Sequence, residues 1–369
     1  MAVANEEKTN ITDFYTEQDK LLAEIRKEFG PQSMFILGKE ERLANIKMRP
    51  SGSLMLDIAL GGGLPHGRLI GLHGAESSGK TTILNLAIAQ AQALEPDKMC
   101  AIIDLEHSYD PIWAQKLGVD LKRLMITQPD TYAENIYKMI EFMLQSGKYS
   151  IIGLDSVDGL IPKDEFEQED WDKESRVGGA SKINSKAMRK LVNSGLLTKS
   201  GTTLVFINQL RDKIGGFSMY GTPTTTSGGR SLKHAATINI EVSKGDYFST
   251  GSGNAKVVHG NQIKCKISKN KVAAPHKVAV IDMYYETGLD SINELVHVAK
   301  ELNILTGAGW LKWIDPSTGE ALTNPETKEE YKWNGVPKTK EALAADFQAG
   351  GYIVPKMYEQ VNQLLRGAA

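Results

Sequence analysis

The sequence predicts an α/β protein with a mostly parallel central sheet, preceded by a helix-and-strand arm and followed by a small α+β domain. Three observations carry that expectation. Between about Ser51 and Thr287, short apolar runs recur, the early ones alternating with helical stretches, and several are continuously apolar, as in strands buried on both faces. The later runs follow one another without clear helices, which predicts an antiparallel extension of the same sheet. After Gly288 the composition shifts toward amphipathic helices around a short aromatic run.

The arm spans residues 1–45. Leu21, Leu22, Ile25 and Phe29 fall on one face of a helix over Thr16 to Phe29, with charged residues opposite, and Gly30-Pro31 stops it. Met34-Phe35-Ile36-Leu37 then reads as a short strand bounded by Gly38. A lone helix and strand cannot bury their own apolar stripe, so the arm packs either on its own core or on a neighbouring copy of the chain. The core, residues 46–289, has strand candidates at Leu69–His73, Met99–Asp104, Tyr149–Asp155, Thr203–Asn208, Thr237–Val242, Gln262–Ser268 and Val278–Tyr284. In the last segment, residues 290–369, Ile292, Leu295, Val296, Ala299 and Leu302 form one helical stripe with Asp290 or Ser291 as N-cap. Trp310-Leu311-Lys312-Trp313, a Pro316-Ser317-Thr318-Gly319 turn and two more helical stretches complete it.

Composition excludes several classes. No stretch approaches the ~20 apolar residues of a membrane span, and Met1 to Thr12 lacks the apolar region of a secretory signal. The two cysteines, Cys100 and Cys265, lie in strand-like runs and read as buried thiols, and the seven histidines show no zinc-ligand spacing. A reducing cytoplasm fits this usage. The net charge of −2 neither supports nor excludes nucleic-acid binding, so any such site must be local.

Chemistry enters at Gly74-Ala75-Glu76-Ser77-Ser78-Gly79-Lys80-Thr81, a complete phosphate-loop pattern between a strand and a helix whose buried stripe is Ile83, Leu84, Ala87, Ile88 and Ala91. Backbone N–H groups and the helix N-terminus attract phosphate oxygens; Lys80 reaches the outer phosphates, and Thr81 offers its hydroxyl to Mg²⁺. ATP binding and hydrolysis follow. Asp155, at the end of an apolar strand, is placed to hold the magnesium through water, or else to cap a turn. Glu106 follows another strand and could polarise the attacking water; an ordinary helix cap is the other reading. Asp110-Pro111 opens a short helix carrying Trp113, where an indole could stack on adenine or simply fill the core. Gln209 ends a strand on the same edge and could sense the γ-phosphate.

The order of these residues, with Ser51-Gly52-Ser53-Leu54-Met55-Leu56-Asp57 before the loop, Thr82 after it, and Ala187-Met188-Arg189-Lys190-Leu191, Phe206-Ile207-Asn208-Gln209 and Lys269-Asn270-Lys271-Val272-Ala273-Ala274-Pro275 beyond it, closely resembles the bacterial RecA-type recombinases from about Ser51 to Leu289. The resemblance implies a P-loop ATPase core that forms helical filaments on single-stranded DNA, with ATP between neighbouring subunits, and pairs that strand with homologous double-stranded DNA. It implies Glu106 as general base and Trp113 in the place of an adenine-stacking aromatic. Lys269 and Lys271 would reach the neighbour's ATP much as an arginine finger does, and the arm would dock on the adjacent subunit. The protein would work in the cytoplasm, associated with the nucleoid when bound to DNA.

Two long polar loops, at about 163–181 and 210–233, would face the DNA. The first feeds a helix with Lys182, Ser185 and Arg189; the second carries Arg211, Lys213, Gly228, Gly229 and Arg230. From the residues alone, a flexible substrate lid is an equal contender. The chain departs from the family in four places: the first loop is strongly acidic, the second carries Gly216-Phe217-Ser218-Met219-Tyr220 where relatives are usually shorter, His234 stands where relatives have an aromatic, and the last residues lack an acidic tail. Two rival readings use the same loop: a ring-helicase-like motor that unwinds rather than pairs DNA, and a small-molecule kinase indifferent to DNA.

Overall fold

A computed structural model describes residues 2–31, 33–36, 46–168, 179–212, 224–226, 229–251 and 256–367. The chain divides into two compact units, Met1–Lys47 and Met48–Ala369. The described residues of the first are helix α1 (Ala2–Phe29), twice the length its apolar stripe suggested, and a few residues after it. Gly30 turns the chain at φ 98°, and Arg26 Nε donates to the Met34 carbonyl at 2.8 Å. Met34–Ile36 forms no strand, and Leu37 lies outside the described residues. A strand needs a ladder partner, and among the described residues this unit offers only a helix.

In the second unit the core elements are β1 (Met48–Arg49), α2 (Leu54–Leu60), β2 (Leu64–Pro65), β3 (Leu69–Gly74), α3 (Lys80–Leu94), β4 (Met99–Asp104), α4 (Pro111–Lys116), β5 (Leu124–Thr127), α5 (Ala133–Ser146) and β6 (Tyr149–Asp155). They continue with α6 (Lys163–Phe166), α7 (Gly179–Met188), a π-helical turn (Arg189–Asn193), α8 (Leu196–Ser200), β7 (Thr203–Asp212), β8 (Thr224–Thr226), α9 (Gly229–Ala235), β9 (Ile238–Thr250), β10 (Val257–Asn270), β11 (Val278–Tyr284) and β12 (Gly288–Leu289). The main sheet runs β12-β11-β10-β9-β3-β7-β6-β4-β5, with β8 paired to β7. Strands β5, β4, β6, β7, β3 and β9 are mutually parallel, whereas β10, β11 and β12 join antiparallel. This is the mixed sheet the alternation of runs predicts.

Strands β3 and β6 are buried at every residue, which is why their sequences are apolar without alternation. Core side chains pack on both faces of the sheet, Ile70, Leu84, Ile88 and Ile102 on one side and Ile103, Ile140, Leu154 and Phe206 on the other. Both cysteine thiols are buried and free, and burial pushes Cys100 up to about 11 and Cys265 up to about 12. Strands β9 and β10 extend well past their apolar runs as a long hairpin with half-exposed residues. Strand β5 went unpredicted: it has four residues on the sheet edge, and Met125 and Ile126 are about half exposed.

The remaining residues form α10 (Ser291–Glu301), β13 (Leu305–Thr306), β14 (Trp310–Trp313), β15 (Lys332–Asn334), α11 (Gly335–Gln348) and α12 (Ile353–Gly367). Asp290 caps α10 by accepting from Asn293 N at 2.9 Å. A separate apolar cluster holds this segment together around Trp313, whose Nε1 donates to Gln360 Oε1 at 2.7 Å. Leu54 of α2 belongs to that cluster, so α2 joins the segment to the sheet.

Candidate functional site

The C-terminal ends of the parallel strands gather the site, as expected where loops leave an open α/β sheet. Strand β3 runs into the phosphate loop, and α3 starts at Lys80 directly after Gly79, which has φ 100°. A Cβ at Gly74 would run into the Val242 carbonyl oxygen, so only glycine fits where the loop leaves the sheet. The Lys80 ammonium, almost buried, donates to the carbonyls of Gly74 at 3.1 Å and Ala75 at 2.7 Å. Burial lowers its pKa, opposed by Asp155 and Glu106 nearby. Ser78 Oγ is buried without a partner among the described residues, the mark of a loop shaped for an acceptor-rich ligand.

Strand β6 ends in Asp155, whose Oδ2 accepts from Thr81 Oγ1 at 2.8 Å. Burial raises the carboxyl to about 6, tempered by the Thr81 hydrogen bond and reinforced by Glu106 and Asp104. A hydroxyl and a carboxylate side by side next to a phosphate loop are the hard oxygen donors that Mg²⁺ takes when substrate phosphates supply the rest. Among the described residues no cluster of three or more His, Cys, Asp or Glu is arranged to hold a metal by itself. Thr81 and Asp155 therefore suit a magnesium that arrives with the nucleotide.

The next strand places Glu106. Asp104, buried at the end of β4, accepts from the N–H groups of Glu106 at 3.1 Å and Tyr109 at 3.2 Å and from Gln128 Nε2 at 2.8 Å. This fixes the loop and leaves the Glu106 side chain exposed. Gln209 lies in β7 directly opposite Gly74. Its Nε2 donates to Glu106 Oε1 at 3.0 Å, and its own N–H donates to Asp158 Oδ2 at 2.8 Å. The two residues read as base and phosphate sensor thus touch each other.

Asp110 caps α4, accepting from Ile112 N at 2.9 Å and Trp113 N at 3.0 Å. Trp113 is half-buried; its Nε1 donates to Thr82 Oγ1 at 3.1 Å, and its ring forms one wall of a cavity of about 320 Å³. Ser77, Ser78, Gly79 and Thr82 form the phosphate-loop side of that cavity, and Lys244, Asn261, Met283 and Tyr285 lie across it. Reading along the chain missed those last four, because they lie on or just after β9, β10 and β11, which only the folded sheet brings over the phosphate loop; it also missed Asp104, Gln128 and Asp158. A strand-end Tyr285 after a recognised strand was the only local sign.

Lys269 and Lys271 stand elsewhere. Asn270 between them anchors the segment: its Nδ2 donates to the Leu60 carbonyl at 3.0 Å, and its Oδ1 accepts from Val272 N and Ala273 N. Lys271 is exposed, and Lys269 reaches the C-terminal carbonyls of α9. Of the residues read as DNA-facing, Lys182 and Arg189 are exposed on α7 and the π turn, whereas Ser185 Oγ is engaged with the Ser181 carbonyl at 2.8 Å. Arg211 pairs with Thr225 in the β7–β8 ladder, and Gly229 and Arg230 open α9. Lys213 and Gly228 lie outside the described residues, as do 169–178 of the first loop.

A family model described as the RecA N-terminal domain matches residues 17–290. The chain belongs to the RecA family. It is 41% identical over 320 residues to Protein RecA of Ruminococcus albus, an alignment covering 85% of this chain and 77% of that one. Protein RecA of Bacillus mycoides is 41% identical over 318 residues (85% and 88%), and that of Bacillus licheniformis 40% over 316 (85% and 87%). As a member of the RecA family, the chain is a recombinase: a DNA-dependent ATPase that forms filaments and carries out homologous pairing and strand exchange. No helix among the described residues is long and apolar enough to cross a membrane.

Proposed function

We propose that this chain hydrolyses ATP bound with Mg²⁺ at the loop after β3, at a site completed by a neighbouring subunit of a helical filament on single-stranded DNA, and that the filament pairs that strand with double-stranded DNA. The hydrogen bond between Gln209 and Glu106, beside the Thr81–Asp155 pair, carries this reading. It joins the group that would take a proton to the group that would sense the γ-phosphate.

In the mechanism, Glu106 orients a water and accepts its proton as the water oxygen bonds to the γ-phosphorus and the bond to the bridging β–γ oxygen breaks. Lys80 leaves the loop carbonyls for the outer phosphates, and the neighbour's Lys269 and Lys271 neutralise charge growing on the γ-phosphoryl oxygens. Thr81 and Asp155 would hold the magnesium, which when bound would supply further charge neutralisation. The cavity between Trp113 and Tyr285 takes the base, with Asp110 fixing the Trp113 helix. A γ-phosphate that draws Gln209 off Glu106 moves the end of β7, and β7 leads into the second loop. Lys182, Ser185, Arg189, Arg211, Lys213, Gly228, Gly229 and Arg230 would line the DNA path and contact mainly the backbone, whatever the base sequence. The cytoplasm, with nucleoid association on DNA, is the compartment this work requires.

Steady-state ATP hydrolysis with and without single-stranded DNA, across protein concentrations, tests this. Strong stimulation rising cooperatively with protein is expected from a site shared between subunits. Turnover independent of DNA and of protein concentration would overturn it.

A further inference from the structure

Strand β3 presents Gly71 and His73 on one buried face, and in its parallel pairing with β9 Gly71 lies opposite Asn239. A Cβ on Gly71 would sit 2.6 Å from both Asn239 Oδ1 and His73 Nε2. The space that glycine leaves is filled by a hydrogen bond, with His73 Nε2 3.0 Å from Asn239 Oδ1. On its other side Asn239 Nδ2 donates to the Lys233 carbonyl at 3.2 Å, which fixes the amide with its oxygen toward the ring. His73 Nε2 therefore carries the proton. Nδ1 is left as a bare acceptor, buried without a partner among the described residues, and burial lowers the ring's pKa. Both fit a neutral imidazole.

The Lys233 carbonyl is shared. Lys269 Nζ donates to it at 2.7 Å and to the His234 carbonyl at 2.9 Å. These are the last carbonyls of α9, where the helix dipole favours a cation. An ammonium has three N–H donors, and these two bonds set the direction of the third. A lysine without such a holder is a flexible point charge on a four-carbon stem.

We propose that Asn239, braced by His73, is a positioning residue for Lys269. It ties the C-terminal end of α9 to the phosphate-loop strand and so sets where the free N–H of Lys269 points. The proposal rests on the reading that Lys269 acts on the neighbour's ATP, and it names what holds that lysine in place. Three parts of the machine meet at one carbonyl: the strand that opens the chain's own phosphate loop, the helix that ends the second loop, and the lysine aimed at the next subunit.

The test is ATP turnover on poly(dT) by homogeneous and mixed filaments. Asn239→Leu, of similar size, is expected to lower kcat about tenfold through misplacement of one charge while leaving the KM for ATP near that of the wild type. Mixing it with an excess of Glu106→Gln, whose own sites do not turn over but whose Lys269 is intact, is expected to restore turnover per Asn239→Leu subunit. Lys269→Ala carried through the same mixtures is the reference. Rescue of Lys269→Ala alongside wild-type turnover in Asn239→Leu would overturn the positioning role. So would a slow Asn239→Leu that mixing fails to rescue, since its fault would then lie in its own phosphate loop. Failure to rescue Lys269→Ala would instead remove the underlying reading of the lysine. If Asn239→Leu does not fold, Asn239→Asp keeps the acceptor for His73, removes the donor to Lys233, and is read against the same outcomes.

Discussion

At the nucleotide edge of the sheet, Asp155 is a buried carboxyl raised to about 6 by that burial, next to Lys80, Thr81 and an exposed Glu106. Where α2 meets α10, Glu294 and Asp57 are also buried carboxyls, raised by burial to about 8 and about 7. Their surroundings differ. Glu294 accepts from Ser53 Oγ and, at 2.8 Å, from Leu54 N; Asp57 Oδ1 accepts from Ser51 N at 2.8 Å. No cation pairs with either among the interactions described, and the donors are caps and turns of the fold itself. The first place keeps its carboxyl beside the Lys80 ammonium and a phosphate loop and leaves Ser78 Oγ unsatisfied; the second faces a cavity of about 760 Å³, and the donors its carboxyls accept from are groups that cap and turn the fold's own backbone. A raised carboxyl beside a cavity therefore marks chemistry only where a cation and phosphate-binding groups stand with it.

That contrast can be broken most forcefully at Lys80. Lys80→Ala removes the cation of the nucleotide site, and DNA-stimulated turnover is expected to fall by about 1000-fold or more, with the thermal midpoint little changed because its partners are loop carbonyls. Substantial hydrolysis by this variant would move the site elsewhere. Glu106→Gln keeps the shape and the contact with Gln209 but removes the base. Turnover is expected to fall by about 100- to 10,000-fold with nucleotide still bound, measured by single-turnover hydrolysis against binding of a fluorescent ATP analogue.

At Glu294 the effect should be on stability. Glu294 holds its proton in the folded state up to about pH 8, whereas an unfolded glutamate releases it near its ordinary value of 4.5. Between those values the folded state binds more protons, so this group's contribution is fully present below about pH 4.5 and declines as pH rises toward 8. Glu294→Gln is neutral throughout and should flatten that decline. Thermal midpoints of DNA-free protein from pH 5 to 8 are expected to fall by about 2–5 °C more in the wild type than in the variant. Parallel curves would mean that Glu294 does not titrate as a buried acid. DNA-stimulated kcat at pH 7 should be unaltered, the reverse of the Lys80 result.

Continuous apolar runs made β3, β4 and β6 readable to within a residue, because strands buried on both faces leave no other use for such runs. The phosphate loop and Asp155 were readable because a single short segment, or a single strand end, carries each. What stayed hidden is made by pairing distant segments. Asp158 shows its role only once β7 brings Gln209 N to it, and Tyr285 only once the sheet folds the antiparallel strands over the phosphate loop. Asp110 was readable in its local role: it caps α4, the use its Asp-Pro setting predicts.

The mildest test lies within the nucleotide site, at the wall of the base cavity. Trp113 contributes a ring face and one hydrogen bond, from Nε1 to Thr82 Oγ1, and Thr82 is next to the residue that would meet magnesium. Trp113→Phe keeps a ring and loses the bond. If the cavity only binds the base, ground state and transition state lose the same energy, so KM for ATP rises while kcat holds. The smaller ring gives up part of a stacking contact worth about 1–3 kcal/mol in full, so a KM increase of about fivefold is expected. A fall in kcat instead would mean that the indole steadies Thr82 and, through the first turn of α3, the alignment of Thr81 with Asp155. The base cavity would then belong with Lys80 and Glu106 among the groups that act on the reacting phosphate.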